Sequence, residues 1–143
     1  MRVFMNELRR ALALEFSPPR AGDAGYDLHA ICDCEVAPLQ RLALETGLHI
    51  EIPAGYVGFV KDRSSVAMAG MHCLAGVIDS SYRGEIKVLM VNLGGETALI
   101  KAGQRIAQLI IVPVLTDETE LVAQLEDLSS SQRGEGGFGS TGE

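Results

Sequence analysis

The feature that most constrains the fold is a series of short apolar segments, separated by glycine, proline and aspartate, from about residue 25 onward. No long helical pattern interrupts them, and such spacing is typical of all-β domains. In residues 48–52 aliphatic side chains alternate with His49 and Glu51, which predicts a half-buried strand with both polar residues on its solvent face. A Pro-Ala-Gly turn and a second extended run follow. The sequence therefore predicts an all-β protein.

Three further segments are predicted as strands, at residues 73–78, 85–92 and 105–114. Residues 106–112 are apolar on both faces of their strand, which an exposed antiparallel sheet does not require. We expect a β-sandwich or barrel in which this strand is buried between sheets or between subunits. The apolar spacing in residues 6–16 permits a short helix, which Pro18 and Pro19 would end.

Length, charge and cysteine content restrict the class of protein. The 143 residues fit one domain, and the formal net charge of −7 argues against a nucleic-acid-binding surface. No apolar run approaches the roughly 20 residues that span a bilayer, so we expect no membrane partner. The first residues carry no pattern of a secretion signal, and an odd number of cysteines argues against a disulfide framework. A cytoplasmic protein is expected.

The composition changes near the end of the chain, where glycine and serine become frequent. Such a segment is flexible on its own, so we predict one β domain over residues 1–128 and a flexible tail over residues 129–143. The tail nevertheless holds a guanidinium, an aromatic ring and two hydroxyls, at Arg133, Phe138, Ser140 and Thr141. These groups are suited to clamping a phosphate and a base.

Two polar segments offer candidate contacts to an anion and a metal ion. Arg63, Ser64 and Ser65 follow a predicted strand, and they supply either phosphate donors or a surface salt bridge with a capping serine. Asp27 follows several small residues at the start of a predicted strand. It is either part of an Asx-type turn or an acceptor for metal-bound waters.

A carboxylate and an amide are the candidate catalytic groups. Asp79 ends an apolar segment immediately before a turn. It is either a hairpin residue that bonds local amides or a general base that holds a water. Gln108 shares a strand face with Ile106 and Ile110, so its amide needs either a structural hydrogen bond or a ligand. The sequence has no Ser-His-Asp order and no Gly-Lys-Ser loop, so phosphate chemistry must use other groups.

Five segments, in this order and at this spacing, resemble the five motifs of the trimeric dUTP pyrophosphatase (dUTPase) family. They are residues 21–28, 63–70, 76–85, 103–110 and 133–142. The resemblance implies a jelly-roll-like all-β subunit in a homotrimer, with active sites at subunit interfaces, each completed by the tail of another subunit. It implies hydrolysis of dUTP to dUMP and pyrophosphate, with Mg²⁺ coordinated by the triphosphate. That reaction limits uracil in DNA and supplies dUMP for dTMP synthesis.

The resemblance also implies roles for individual residues. Asp79 would deprotonate the water that attacks the α-phosphorus, and Gln108 would help to hold that water or the α-phosphate. Tyr82 would pack on the deoxyribose and exclude a 2′-hydroxyl, while Asp27 would orient magnesium-bound waters. Phosphate contacts would come from Arg63, Ser64 and Ser65. The pyrimidine pocket would be formed by Cys73, Leu74, Gly76, Val77, Ile78 and Lys87. The tail would close the site through Arg133, Phe138, Gly139, Ser140 and Thr141, with the ring on uracil.

Two positions depart from the pattern of the family. Cys73 stands where many bacterial members carry Asn, and a thiol cannot replace the paired donor and acceptor of an amide. Uracil would then be read mainly by backbone groups around residues 74–77 and near Lys87. Asp62 stands where Pro or Gly is frequent, and it would pair with Arg63 and compete with phosphate.

Two rival functions use the same kind of scaffold. The related dCTP deaminase has a catalytic Glu on the strand after the third motif, and residues 87–92 contain none. A regulatory protein that binds dUTP without turnover would not need Asp79, Gln108 and the complete tail. The dUTPase activity is therefore the preferred prediction.

Overall fold

The computed structural model describes residues 1–116 and 119–131, and β-strands dominate them. The strands are β1 Arg2–Met5, β2 Tyr26–His29, β3 Cys34–Val36, β4 Arg41–Glu51, β5 Tyr56–Asp62, β6 Met71–Cys73, β7 Val77–Ile78, β8 Glu85–Asn92, β9 Ala98–Ile100 and β10 Arg105–Pro113. The helices are α1 Glu7–Ala11, α2 Ser64–Met68 and a 3-10 turn at Leu125–Asp127. None of the described helices is long and apolar enough to cross a membrane. The predicted all-β class is confirmed.

Two four-stranded antiparallel sheets form the body, in the orders β1-β4-β8-β6 and β2-β10-β5-β7. Strands β3 and β9 form a separate antiparallel pair. Alternate residues of β8, Ile86, Val88 and Met90, are fully buried, because alternate residues of a strand share one face. They belong to one apolar cluster with Leu28 and Leu109 of the opposite sheet. The core therefore lies between the two sheets of a β-sandwich.

The predicted strand at residues 73–78 is wrong. Strand β6 ends at Cys73 and β7 begins at Val77, and between them Ala75 and Gly76 have φ angles of 54° and 86°. A Cβ on Gly76 would lie 2.8 Å from the carbonyl oxygen of Val60, so this close approach to β5 also requires glycine. The turn lets the Gly76 carbonyl accept a hydrogen bond from the Val60 N–H at 2.8 Å.

The other strand predictions agree with the structure. The segment at residues 85–92 coincides with β8, and that at 105–114 extends one residue beyond β10. The short helix permitted in residues 6–16 is α1, which begins after Asn6, whose side chain accepts a hydrogen bond from the Arg9 N–H.

Every described residue after Ile111 and Val112 of β10 is exposed. The division into a domain at 1–128 and a tail at 129–143 stays a prediction, since most of that tail lies outside the described residues.

Candidate active site

Three neighbouring strands bring the predicted phosphate and metal contacts into one cavity of about 880 Å³. Strand β10 lies between β2 and β5, so residues that are distant in the sequence meet here. The lining of the cavity includes Asp27 on β2, Arg63, Ser64 and Ser65 at the start of α2, and Gln108 on β10. We call it the first cavity. Arg63 precedes the first turn of α2 and forms no side-chain cap, so a capping role for this segment is not seen.

Two arginines share the Asp27 carboxylate in the first cavity. Arg63 forms a close ion pair with Asp27, and Arg105 Nη1 lies 3.3 Å from Asp27 Oδ2. Burial, together with the nearby Arg105, lowers the pKa of Arg63, yet a guanidinium stays cationic in proteins. The expected pair between Asp62 and Arg63 is therefore wrong, because Asp27 is the counter-ion of Arg63.

Sequence reasoning missed Arg105 and His29, which also line the first cavity. The two are register partners at the end of the β2–β10 ladder, and only the pairing of the strands places them together. The His29 Nδ1 is buried and has no hydrogen-bond partner among the described residues. Burial lowers the pKa of His29, and Arg9 and Arg105 add to this effect. His29 therefore adds a neutral polar group to an arginine-rich wall.

The amide of Gln108 has a structural hydrogen bond and also lines the first cavity. Its Nε2 donates to the backbone carbonyl of Asp62 at 2.9 Å. A Cβ on Gly25 would lie 2.9 Å from Gln108 Oε1, so glycine makes room for the amide. Both interpretations that the sequence left open therefore have support from the geometry.

A second cavity, of about 290 Å³, gathers most of the residues predicted for the nucleoside. These are Leu74, Gly76, Val77, Ile78, Asp79, Tyr82 and Lys87. The hydroxyl of Tyr82 donates to the Glu85 carbonyl at 3.0 Å, which anchors the ring beside the cavity. Lys87 Nζ lies 3.0 Å from Glu45 Oε1, so its ammonium is paired. We call this the second cavity.

Asp79 lies exposed beside the second cavity, just after β7. Its backbone carbonyl accepts a hydrogen bond from the Tyr82 N–H at 3.0 Å. No described residue forms a hydrogen bond or an ion pair with its carboxylate, so the alternative in which this carboxylate bonds local amides is not seen.

Cys73 is not among the described residues that line the second cavity. Burial, with the adjoining Asp62 carboxylate, raises the pKa of its thiol to about 12. The thiol therefore stays protonated at neutral pH. The predicted tail contacts Arg133, Phe138, Gly139, Ser140 and Thr141 lie outside the described residues.

The two cavities share no lining residue among those described. Gln108 pairs with Lys61, whereas Gly58, three residues earlier on β5, pairs with Ile78 on β7. Two strand spacings of about 4.8 Å and three residues of about 3.3 Å place the Cα atoms of Gln108 and Ile78 roughly 14 Å apart. Asp79 follows Ile78 in the direction that leads away from Gln108. Because two groups that share one water are about 6 Å apart at most, these side chains of one chain do not hold the same water.

The fold and the cavities define an antiparallel β-sandwich protein with one cavity lined by arginines and carboxylates and a separate small cavity. A family model described as dUTPase matches residues 14–142. A deoxyuridine 5'-triphosphate nucleotidohydrolase of Clostridium kluyveri is 42% identical over 145 residues, which cover 99% of each chain. The chain therefore belongs to the dUTPase family, and the predicted family and enzyme class are confirmed.

Solved structures support the same assignment. The dUTPase of Staphylococcus bacteriophage 80alpha with dUPNHPP is 28% identical, with a TM-score of 0.86 over 99% of this chain and 98% of that chain. A mutant dUTPase from phage phi11 of S. aureus, whose structure reveals the coordination of a structural Mg(II) ion, is 26% identical. Its TM-score is 0.77 over 87% of this chain and 97% of that chain.

Proposed function

We propose that the chain hydrolyses dUTP to dUMP and pyrophosphate, with Asp79 as the base that activates the attacking water. The observation that carries the proposal is the exposed Asp79 carboxylate beside the second cavity, without a partner among the described residues. A carboxylate that is not engaged by the protein can accept a proton from a bound water. The names of the relatives, such as the nucleotidohydrolase of Clostridium kluyveri, support the choice of substrate.

The second cavity suits a nucleoside. Its volume of about 290 Å³ is close to the lower end of the usual range for small-molecule sites. The anchored Tyr82 ring would pack on the sugar and leave no room for a 2′-hydroxyl, which selects deoxyribose by steric exclusion. Backbone groups of residues 74–77 would read the base, since the Cys73 thiol is not in the lining.

The first cavity suits the phosphates. Its lining holds three arginines, Arg20, Arg63 and Arg105, against three carboxylates, so the cavity is locally neutral in a chain whose net charge is −7. A triphosphate would replace Asp27 as the counter-ion of Arg63 and Arg105, with bidentate hydrogen bonds to the guanidinium of Arg63. The hydroxyls of Ser64 and Ser65 would complete the phosphate contacts.

The donor set around Asp27 fits a magnesium ion that is held mainly by the substrate. The described residues contain no cluster of three or more acidic, His or Cys side chains that could hold a metal. One carboxylate beside two arginines fits an ion that keeps its waters and takes its other ligands from phosphate oxygens. Asp27 would hold those waters once phosphate engages the arginines. The ion would offset part of the triphosphate charge.

The separation of the two cavities implies that an active site uses two subunits. We therefore propose a homotrimer in which the first cavity of one subunit faces the second cavity of its neighbour. Ile110, Ile111 and Val112 of β10 are only half-buried in the single chain, and a subunit interface would cover them. The tail of another subunit, over residues 129–143, would bring the ring of Phe138 to the base.

In this arrangement the reaction is a single displacement at phosphorus. Asp79 takes a proton from the water, whose oxygen bonds to the α-phosphorus as the bond to the bridging oxygen of the leaving pyrophosphate breaks. Gln108 of the neighbouring subunit orients the water or the α-phosphate. Arg63 stabilises the charge that develops on the phosphate oxygens. In the cytoplasm, the reaction would keep uracil out of DNA and supply dUMP for dTMP synthesis.

A nucleotide panel tests the proposal. The protein is incubated with Mg²⁺ and dUTP, dCTP, dTTP or UTP, and the products are identified by chromatography. We expect dUMP and pyrophosphate from dUTP and, at the same enzyme concentration, no detectable product from the other three. Ammonia released from dCTP would indicate the deaminase, and binding of dUTP without turnover would indicate a regulatory protein.

A further inference from the structure

One carboxylate joins the two sheets of the sandwich beside the proposed site. Asp62 is the last residue of β5 in one sheet, and His72 and Cys73 end β6 at the edge of the other sheet. The Cys73 N–H donates to Asp62 Oδ1 at 2.6 Å, and His72 Nδ1 lies 2.6 Å from Asp62 Oδ2. Both carboxylate oxygens therefore hold β6. Asp62 and Cys73 are also the two positions that depart from the family pattern.

The carboxylate satisfies a backbone group that β6 cannot pair within its own sheet. Hydrogen bonds alternate along an antiparallel strand, and the Leu74 N–H donates to the Leu89 carbonyl of β8, so the Cys73 N–H points away from β8. Because β6 is an edge strand, no further strand of its sheet meets that N–H. Burial raises the pKa of Asp62, but the hydrogen bonds from Cys73 and His72 outweigh it and hold the pKa below its ordinary value. The acceptor is therefore a carboxylate at neutral pH.

The segment held in this way continues into the second cavity. Leu74, Gly76 and Val77 line that cavity, and the Gly76 carbonyl accepts the hydrogen bond of the Val60 N–H. The segment is thus attached to β5 through Cys73, through Gly76 and through the pairing of Val77 with Phe59. Of these attachments, only the one at Cys73 depends on a side chain, that of Asp62, because the other two belong to the backbone.

We propose that Asp62 is a positioning residue for base selection, because its carboxylate fixes the backbone of residues 73–77 against β5. This inference rests on the proposed function, in which backbone groups of that segment read the base. Uracil and cytosine present opposite hydrogen-bonding groups at two ring positions. Fixed backbone donors and acceptors reject the wrong base, because polar groups of that base and of the backbone would both remain unpaired. If the segment shifts, we expect the preference for uracil over cytosine to fall while hydrolysis continues.

The test compares kcat/KM for dUTP and dCTP in Asp62 variants. We expect Asp62→Ala to lower the dUTP-to-dCTP ratio about tenfold, the factor that a hydrogen bond to a charged group commonly contributes. The loss should appear in KM for dUTP, with kcat nearly unchanged. Asp62→Asn keeps an acceptor for the Cys73 N–H and should restore most of the ratio. If Asp62→Ala does not fold, Asp62→Glu, which displaces the carboxylate by one methylene group, must lower the ratio.

A matched control is available at Asp33. Its carboxylate also accepts a backbone N–H, that of Ala102 at 2.8 Å, and a cationic side chain, Lys101 at 2.9 Å, yet it lines neither cavity. Asp33→Ala should therefore keep the ratio. Amide hydrogen exchange of residues 73–77 should accelerate in Asp62→Ala and not in Asp33→Ala.

The possible failures are distinguishable. Wild-type protein that does not hydrolyse dUTP would contradict the proposed function, whatever the exchange data show. If the wild type is active, an unchanged ratio in Asp62→Ala overturns the inference alone. Equal losses for both nucleotides, or no recovery in Asp62→Asn, would likewise overturn it, since they indicate a role in stability only.

Discussion

Two inactive variants should restore each other's activity when they assemble together. Asp79→Asn removes the proposed base from the second cavity, and Gln108→Ala removes the amide from the first cavity. The register of β10, β5 and β7 places the two positions of one chain too far apart to serve one water. If each site combines residues of neighbouring subunits, a mixed trimer contains some sites in which both residues are intact.

The size of the effect follows from the symmetry. A site keeps both residues when its Asp79 comes from a Gln108→Ala chain and its Gln108 comes from a neighbouring Asp79→Asn chain. With equal amounts and random assembly, each condition holds for half of the subunits, so about a quarter of wild-type activity is expected. Activity should follow the product of the two fractions across the mixing series, with its maximum at equal amounts.

The assay is pyrophosphate release after the variants are unfolded and refolded together, with mixed trimers verified by native mass spectrometry. A chain that carries both changes, refolded in equal amount with wild type, is the control. Shared sites predict that about a quarter of its sites are intact, whereas sites within single chains predict about half. Mixed trimers with no more activity than the separate variants would refute the shared site.

Three further predictions concern single residues. Asp79→Asn should lower kcat roughly a thousandfold, as expected for loss of a general base. Its affinity for a non-hydrolysable dUTP analogue, measured by calorimetry, should stay within a few fold. A large loss of affinity in a folded trimer would assign Asp79 to binding instead. Gly76→Ala should cost about 1–3 kcal/mol in urea unfolding, because its φ is 86° and the new Cβ meets the Val60 carbonyl oxygen; unchanged stability would contradict this. Iodoacetamide at pH 8 should label the exposed Cys32 well before Cys73, because a thiol pKa of about 12 leaves little thiolate at Cys73. Peptide mass spectrometry measures the order of labelling, and labelling of Cys73 first would contradict the prediction.

The sequence was sufficient where burial and local pattern agree. Strand β8 was predicted to the residue, because Ile86, Val88 and Met90 alternate with less buried residues and all three face the core. The prediction of one strand at residues 73–78 is wrong, although Leu-Ala-Gly-Val-Ile has the composition of a strand. The left-handed turn of this segment depends on the contact between Gly76 and Val60, which are far apart in the sequence. A local pattern does not contain such a contact.

Adjacency in the sequence was a poor guide to ion pairing. Asp62 and Arg63 are neighbours, but successive side chains at the end of a strand point to opposite sides. Asp62 therefore meets β6, and Arg63 meets Asp27, 36 positions away. The buried Arg9 is a similar case, because the helical pattern around it does not reveal that its guanidinium donates to the carbonyl of Thr46. The pairing of charges followed from strand geometry and topology.

Most of the described residues that the motif resemblance names line one of the two cavities, but only the strand register separates them into two groups. Strand β5 contacts both groups: Val60 and Asp62 hold the segment that lines the second cavity, and the Asp62 carbonyl accepts the hydrogen bond of Gln108 in the first. In the proposed trimer these cavities belong to two different active sites. The Asp62 side chain therefore acts on one site and its backbone carbonyl on the other. Because Asp62→Ala removes the carboxylate and keeps the carbonyl, it should disturb base reading while Gln108 keeps its place, which is why the loss is expected in KM rather than in kcat.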